Sequence, residues 1–392
     1  MTDDPPSSPA LLPAGLHDLL PPEAEIEAQA VERLMAAFAA HGYERVKPPL
    51  LEFEDGLLTG SGGAVAEHTF RLMDPDTHRM MGLRSDMTPQ VARIATTRLA
   101  RAPRPLRLSY AGQTLRVRGT QLAPERQVAQ AGVELIGTDA PDADAEMVLV
   151  GAEALASVGL TRVSFDLTLP PLAPALLDAA GLAGPARAAL VRALDRKDAA
   201  AVAQHGGGLA GLLTRLLLAA GPADAALDIL ARAELPPAAA ALCDRLAAVV
   251  RAIHARAPAL KLTLDPIEFR GFRYHTGVCV TVYAPGRREE LGRGGRYLCG
   301  DVEPATGLTL YPDAVLRACA RPTARPRAFV PWGADAAAAA ALRADGFATV
   351  AAVEPHADAV AEAGRLGCTH LLRDGAAVPL TPERRAGWPT SP

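Results

Sequence analysis

The sequence predicts an α+β protein: mostly antiparallel strands with helices on one side, a helical insertion, and a small C-terminal α/β lobe. Three observations predict it. Strand-like segments separated by turn residues recur over residues 42–136 and 261–317. Between them, residues 170–258 are Ala/Leu-rich, punctuated by Gly and Pro, with no convincing strand. After the linker RPTARP (321–326), strand-like and helix-like segments alternate. The expected division is a disordered N-terminus (1–12), a core in two parts (13–169 and 259–320), the insertion (170–258) and the lobe (327–392).

The elements follow in order. Pro21 and Pro22 precede a first helix whose opening turns carry Glu23, Glu25 and Glu27, a charge bias that suits the positive end of a helix dipole. Ile26, Ala30, Leu34 and Phe38 recur every fourth residue, Val31 and Met35 widen the stripe, and Gly42 caps the end. Residues 43–52 read as extended chain. Pro48 and Pro49 bar that run from a central strand and suit an edge or a chain crossing. Residues 71–86 read as a hairpin turning at Asp74-Pro75-Asp76. A helix over 88–100 with Pro89 in its first turn, strands over 106–115 and 129–136, and a helix over 142–158 complete the first run. Strand character returns over 261–269 and 277–284, where Val278, Val280 and Val282 alternate. The Gly-rich segment 292–296 reads as a turn. The lobe reads strand 328–331, helix 335–345, strand 348–353, helix 357–366, strand 370–373; at about 60 residues it is marginal as an independent core.

Composition narrows function. The chain has 392 residues, enough for a large core, and a net charge of −4, which weighs against the basic surface of a tRNA-binding enzyme. Its five cysteines form no CxxC pair, which suits reduced thiols and predicts no structural zinc. No metal or cofactor is expected. The acidic, proline-rich start lacks a signal-peptide pattern, and apolar segments such as 209–220, interrupted by Arg215, are too short to span a bilayer. A cytoplasmic location is the expectation.

Ordered short segments carry more. The chain reads PAGLHDLLP (13–21), GYERVKPPLLE (42–52), LRSDMTPQVAR (83–93), LRVRGTQLAPERQVAQAGVELIG (115–137), FRGFRYHTG (269–277) and GRGGRY (292–297). Singly, each is an ordinary strand end, cap or turn. In this order they resemble histidyl-tRNA synthetase over residues 10–318, interrupted by the insertion. The resemblance implies the class II aminoacyl-tRNA synthetase-like antiparallel sheet flanked by helices. It also implies a homodimer through the first helix and the proline-bearing strand.

A pocket for free histidine needs an acceptor for the ammonium, a donor for the carboxylate and partners for the imidazole. Asp86 can accept from an ammonium, helped by the Thr88 hydroxyl and the Gln130 amide oxygen. Arg116 and Arg270 can pair with a carboxylate, and Glu134 can accept from an imidazole N–H. Each residue alone reads more simply as a cap, a solvated strand position or a salt-bridge partner. The resemblance assigns this set to histidine recognition, together with Tyr274 and His275, where the family's second aromatic is replaced by His275 and Asp86 stands for its usual glutamate.

The adenylate-forming chemistry is eroded. The family's motif 2 RxE reads Arg116-Val117-Arg118, and Ala314 falls where the motif 3 arginine belongs, with Asp313 beside it. A synthetase-like core with an amino-acid pocket and no ATP chemistry is similar to the regulatory subunits of ATP phosphoribosyltransferase. That similarity implies support of a short-form catalytic subunit in the first step of histidine biosynthesis, feedback inhibition by histidine, and a hetero-octamer with four copies of each chain. Two readings stay open at this point: an active histidyl-tRNA synthetase-like ligase, and a histidine-binding scaffold with another partner.

Overall fold

A computed structural model describes residues 11–58, 63, 66–119, 124–268, 274–319 and 325–380. Most of the N-terminal segment, the linker and Arg270 with its neighbours 269–273 lie outside the described residues. The chain forms two compact units, 1–320 and 321–392.

The first unit opens with helix α1 (Glu23–Ala40), whose Ala30, Leu34, Met35 and Phe38 are buried, as the fourfold repeat predicts. Strand β1 (Glu44–Arg45) runs parallel to β5 (Leu106–Leu115) at the sheet edge. Beyond Pro48-Pro49 the chain leaves that sheet for a second one. There β2 (Leu51–Phe53) and β3 (Arg71–Met73) both pair antiparallel with β4 (Met80–Leu83). The buried Arg84 guanidinium pins the crossing by donating to the carbonyls of Pro48 and Gln113. The β3–β4 turn is held by Asp74, which accepts from Thr77 Oγ1 and from the Asp76 N–H. Helix α2 (Glu54–Leu57) is one turn between β2 and β3.

Helix α3 spans Thr88–Thr96, shorter than the sequence predicts. The Thr96 and Thr97 hydroxyls donate to carbonyls of Ala92 and Arg93 one turn back, an alternative to continued helix. Strand β6 (Gln127–Ile136) pairs with β5, and α4 (Pro141–Ser157) follows. After β7 (Ser164–Thr168) come helices α5 (Leu172–Ala179), α6 (Gly184–Asp195), α7 (Ala199–His205), α8 (Ala210–Leu218), α9 (Ala223–Ala231) and α10 (Pro237–Arg256). The two-residue strand β8 (Gly221–Pro222) interrupts them, too short to show as alternation. Strands β9 (Lys261–Asp265), β10 (His275–Tyr283), β11 (Glu290–Cys299) and β12 (Glu303–Leu310), then helix α11 (Pro312–Ala318), close the unit.

Nine strands make the main sheet, in the order β1-β5-β6-β12-β11-β10-β7-β9-β8. It is mostly antiparallel, with parallel pairs β1–β5 and β7–β9. Its two faces differ. Ala131, Val133 and Leu135 of β6 join the large apolar core with α1, α4 and the insertion helices. Their neighbours point the other way, where Tyr110, Ile136 and Tyr297 pack with Met87, Val91 and Ala95 of the α3 region. Helices therefore lie on both faces.

One expectation fails outright. Gly292-Arg293-Gly294-Gly295-Arg296 is no turn; it is the middle of β11, paired with β10 and β12. Its glycines answer tertiary packing, because a side chain at Gly295 (φ +145°) would run into the backbone of Val278 and Cys279.

In the second unit, β13 (Arg327–Val330) pairs in parallel with β14 (Ala348–Ala351) and β15 (His370–Arg373), and β16 (Ala376–Pro379) returns antiparallel to β15. Helices α12 (Ala336–Ala344) and α13 (Ala359–Arg365) are capped by Asp335 and Asp358, which accept from the N–H groups of Ala337 and Val360. Ala328, Val330 and Leu372 serve one small core, Phe329 and Leu371 the other.

Candidate functional site

The strand register builds a cavity on the α3 face of the sheet. One line across the strands runs Tyr110, Gly132, Thr309, Arg293; the next runs Leu108, Glu134, Gly307, Gly295. Opposed residues share a face, so these lines place large polar side chains beside glycines. The glycines make the hollow: a side chain at Gly307 would collide with the Glu134 carboxylate. The hollow is small, about 50 Å³.

Six of the residues singled out from sequence line it: Asp86, Thr88, Gln130, Glu134, Tyr274 and His275. Asp86 and Thr88 come from the entry to α3, Gln130 and Glu134 from β6, and Tyr274 and His275 from the start of β10. Arg116 follows the end of β5 and is not among the lining residues; Arg270 lies outside the described residues. Two of these residues also bond within the protein. The Gln130 amide oxygen already accepts from the Met87 N–H at 3.0 Å, and Asp86 accepts from the Thr88 N–H at 3.3 Å. Both thereby fix the entry to α3. Thr88 Oγ1 lies 3.3 Å from the Tyr110 hydroxyl, so its side chain faces the site and makes no helix cap.

Glu134 is the most buried acid of the site. It accepts from the Tyr297 hydroxyl at 2.9 Å and from Tyr110 at 3.3 Å, and Tyr110 is bonded in turn to Thr309 at 2.7 Å. Burial outweighs these bonds and pushes the carboxyl up to about 8, so it is largely protonated at neutral pH. Burial, with Arg293 second, pushes His275 down to about 3, leaving a neutral imidazole stacked on Tyr274 with ring centres 4.1 Å apart. A neutral imidazole, a protonated carboxyl and tyrosine hydroxyls suit hydrogen bonding to a flat heteroaromatic ring.

Arg293, Tyr297, Thr309 and Tyr311 line the cavity too, although sequence reasoning did not select them. The missed signal was the period of β11: counting back from Tyr297 in steps of two gives Gly295 and Arg293 on one face. At the positions where the resemblance expects adenylate-forming groups, Arg118 is exposed and Ala314 is buried in α11. Asp313 accepts from the Ala129 N–H at 3.1 Å, tying α11 to β6. Among the described residues, no group of three His, Cys, Asp or Glu side chains is placed to hold a metal ion. No described helix is long and apolar enough to cross a membrane.

Comparison with known proteins adds to this geometry. The family model described as histidyl-tRNA synthetase matches residues 15–315. A Gluconobacter oxydans protein named ATP phosphoribosyltransferase regulatory subunit is 56% identical over 95% of this chain and 98% of its own. A Paramagnetospirillum magneticum protein of the same name is 57% identical over 93% and 96%. Among solved structures, a Bacillus halodurans protein described as an ATP phosphoribosyltransferase regulatory subunit/histidyl-tRNA synthetase superposes with a TM-score of 0.76. That match covers 91% of this chain and 96% of the other, and at 23% identity it establishes the fold.

Proposed function

This chain belongs to the ATP phosphoribosyltransferase regulatory subunit family, built on the histidyl-tRNA synthetase fold, and from that premise we propose that it is a non-catalytic subunit that binds histidine and sets the activity of a short-form ATP phosphoribosyltransferase. One observation carries the reading. Asp86, Thr88, Gln130, Glu134, Tyr274 and His275 line a single cavity, while Arg118 and Ala314 stand where the resemblance expects the acid and arginine of adenylate formation. Without those charges the transferring phosphoryl group has no preorganised partners there. Histidine is then an effector, and the reaction it controls takes place on the partner.

The partner is the short catalytic subunit, in a cytoplasmic hetero-octamer whose regulatory chains pair through residues 23–52. The core in two parts, the insertion and the lobe divide the chain at 13–169, 170–258, 259–320 and 327–392. Feedback requires histidine to bind one state of the complex better than the other, since equal affinity shifts nothing. The test is a histidine titration of the reconstituted complex with Asp86→Asn. Losing one charge-assisted contact to the ammonium raises the inhibitory concentration about tenfold or more, with uninhibited activity unchanged. Inhibition identical to the parent's would place the feedback site elsewhere.

A further inference from the structure

We propose that Glu52 is a positioning residue for histidine binding: from outside the cavity it clamps helix α3, whose entry carries Asp86 and Thr88 into the cavity. This rests on the histidine reading above and assigns a role to a residue of the proline-bearing segment rather than of the cavity wall.

Helix α3 starts with no side-chain cap from Met87. Its entry is held by the Met87 N–H on Gln130 at 3.0 Å and the Thr88 N–H on Asp86 at 3.3 Å. Both acceptors are cavity residues, so these two bonds tie the helix to the site without fixing either from outside. Val91, Ala92 and Ala95 are buried and pack α3 against the sheet. Apolar packing is non-directional; it sets the distance of the helix from the sheet and holds rotation about the helix axis only weakly.

Gln90 and Arg93 supply the direction. They stand three residues apart, on one face of α3, and both reach Glu52. The buried Gln90 donates through Nε2 to Glu52 Oε1 at 2.9 Å and to the Pro49 carbonyl at 2.8 Å. Arg93 donates from Nε to Glu52 Oε2 at 2.8 Å and from Nη2 to Oε1 at 2.5 Å, a two-pronged pair on a carboxylate that is 10% exposed. Three N–H groups of α3 therefore converge on one carboxylate. Glu52 is itself fixed, opposite Gly82 in the β2–β4 pairing. Arg84 anchors the crossing just before it, donating from Nη1 to the Pro48 carbonyl and from its backbone N–H to the Leu50 carbonyl, each at 3.1 Å. Arg84 lies two residues ahead of Asp86, so the chain on both sides of the cavity residues is held to the same crossing. Glu52 is not among the lining residues. A binding group must be held to within about 0.5 Å, and loosening the clamp forfeits that for Asp86 and Thr88.

The experiment is calorimetric titration of the full-length chain with histidine at pH 7, for the parent, Glu52→Gln, Arg93→Gln, the double variant and Arg93→Lys. Arg107→Gln is the control, since the Arg107–Glu146 pair at 2.8 Å is of the same kind but ties the sheet to α4. Titrations are run below the melting transition of each variant, so that the affinity is that of the folded chain. Glu52→Gln and Arg93→Gln each weaken histidine about 10-fold, and the double variant is no weaker than either, because both remove one contact. Arg93→Lys keeps the charge without the fork and weakens histidine about threefold; it carries the test if Glu52→Gln does not fold. Arg107→Gln stays within about twofold of the parent. Parent-like affinity in the Glu52 and Arg93 variants, losses that multiply to about 100-fold in the double variant, or an equal loss in Arg107→Gln overturns the assignment while the histidine reading stands. Failure of the parent to bind histidine overturns the histidine reading itself.

Discussion

Arg293 and Arg296 leave the same strand three residues apart and meet opposite surroundings. Arg296 is buried against α4. Its Nε donates to both Asp144 oxygens at 3.0 and 3.1 Å, and Nη1 donates to the Thr138 carbonyl and to Asp139 at 3.0 and 3.2 Å. Arg245 of α10 joins the same cluster, 3.0 Å from Asp144. Arg293, on the other face, borders the cavity, with Glu290 4.0 Å away. The pair teaches how one strand of a central sheet divides its work. Arg296 and Arg245 on the α4 face are held by protein groups and tie the insertion to the core, whereas Arg293 on the other face borders the cavity.

The largest effect expected from this contrast is on the helix face. Arg296→Met removes one partner of a buried ion pair and leaves Asp144, 4% exposed, with Arg245 alone. Breaking such a pair costs about 3 kcal/mol or more. Thermal denaturation will show a drop of several degrees. A melting temperature equal to the parent's would mean that the cluster is surface decoration and that the two faces do not differ in kind.

Much of this fold was legible in sequence, and the illegible parts share a cause. The β3–β4 hairpin showed because its turn chemistry is local: Asp74, Pro75 and Asp76 make a turn wherever they stand. The α1 stripe showed because one face of a helix repeats every three or four residues. Strand β11 did not show, since GRGGR contains no strand-forming residue. It is a strand because β10 and β12 approach so closely that only glycine fits at Gly294 and Gly295, a fact about distant segments. The site divides in the same way. Asp86 to Gln130 were legible through ordered motifs, and Arg293 and Tyr311 were not. Their membership depends on which residues of β11 and β12 stand opposite Glu134 and Gly132, and register is invisible in a single chain.

A middle-sized effect tests the cavity face through its proton. Glu134 has a folded-state value near 8, against an ordinary carboxyl value of 4.5. Below pH 4.5 both folded and unfolded chains hold the proton and nothing is lost. Between 4.5 and 8 the unfolded chain releases it while the folded chain keeps it, so stability falls as pH rises, and above 8 the loss levels off. Glu134→Gln keeps a neutral acceptor for Tyr297 and cannot ionise in either state. Its stability relative to the parent will therefore rise between pH 5 and pH 8, by on the order of 3 to 4 kcal/mol. Denaturant midpoints of the two proteins across that range provide the check. A difference that stays flat with pH would show that the carboxylate is ionised in the folded state and that the cavity carries a second negative charge.

The smallest expected effect is the one that sharpens the contrast most. Arg293→Gln removes a guanidinium whose side chain is 34% exposed and lies 4.0 Å from Glu290. Exposed pairs of that kind contribute about 0–1 kcal/mol. The melting temperature of the ligand-free protein is expected to stay within a degree or two of the parent's. With histidine present, the parent will gain stability by mass action, since anything that binds only the folded chain raises its melting point. The variant is expected to gain less at equal concentration, because Arg293 lines the cavity. Stability unchanged without ligand, together with a smaller ligand-induced shift, is the signature of a group placed for binding. A large loss in the ligand-free protein would instead make Arg293 a second Arg296, holding the sheet together, and the two faces of β11 would no longer differ in what their cations do.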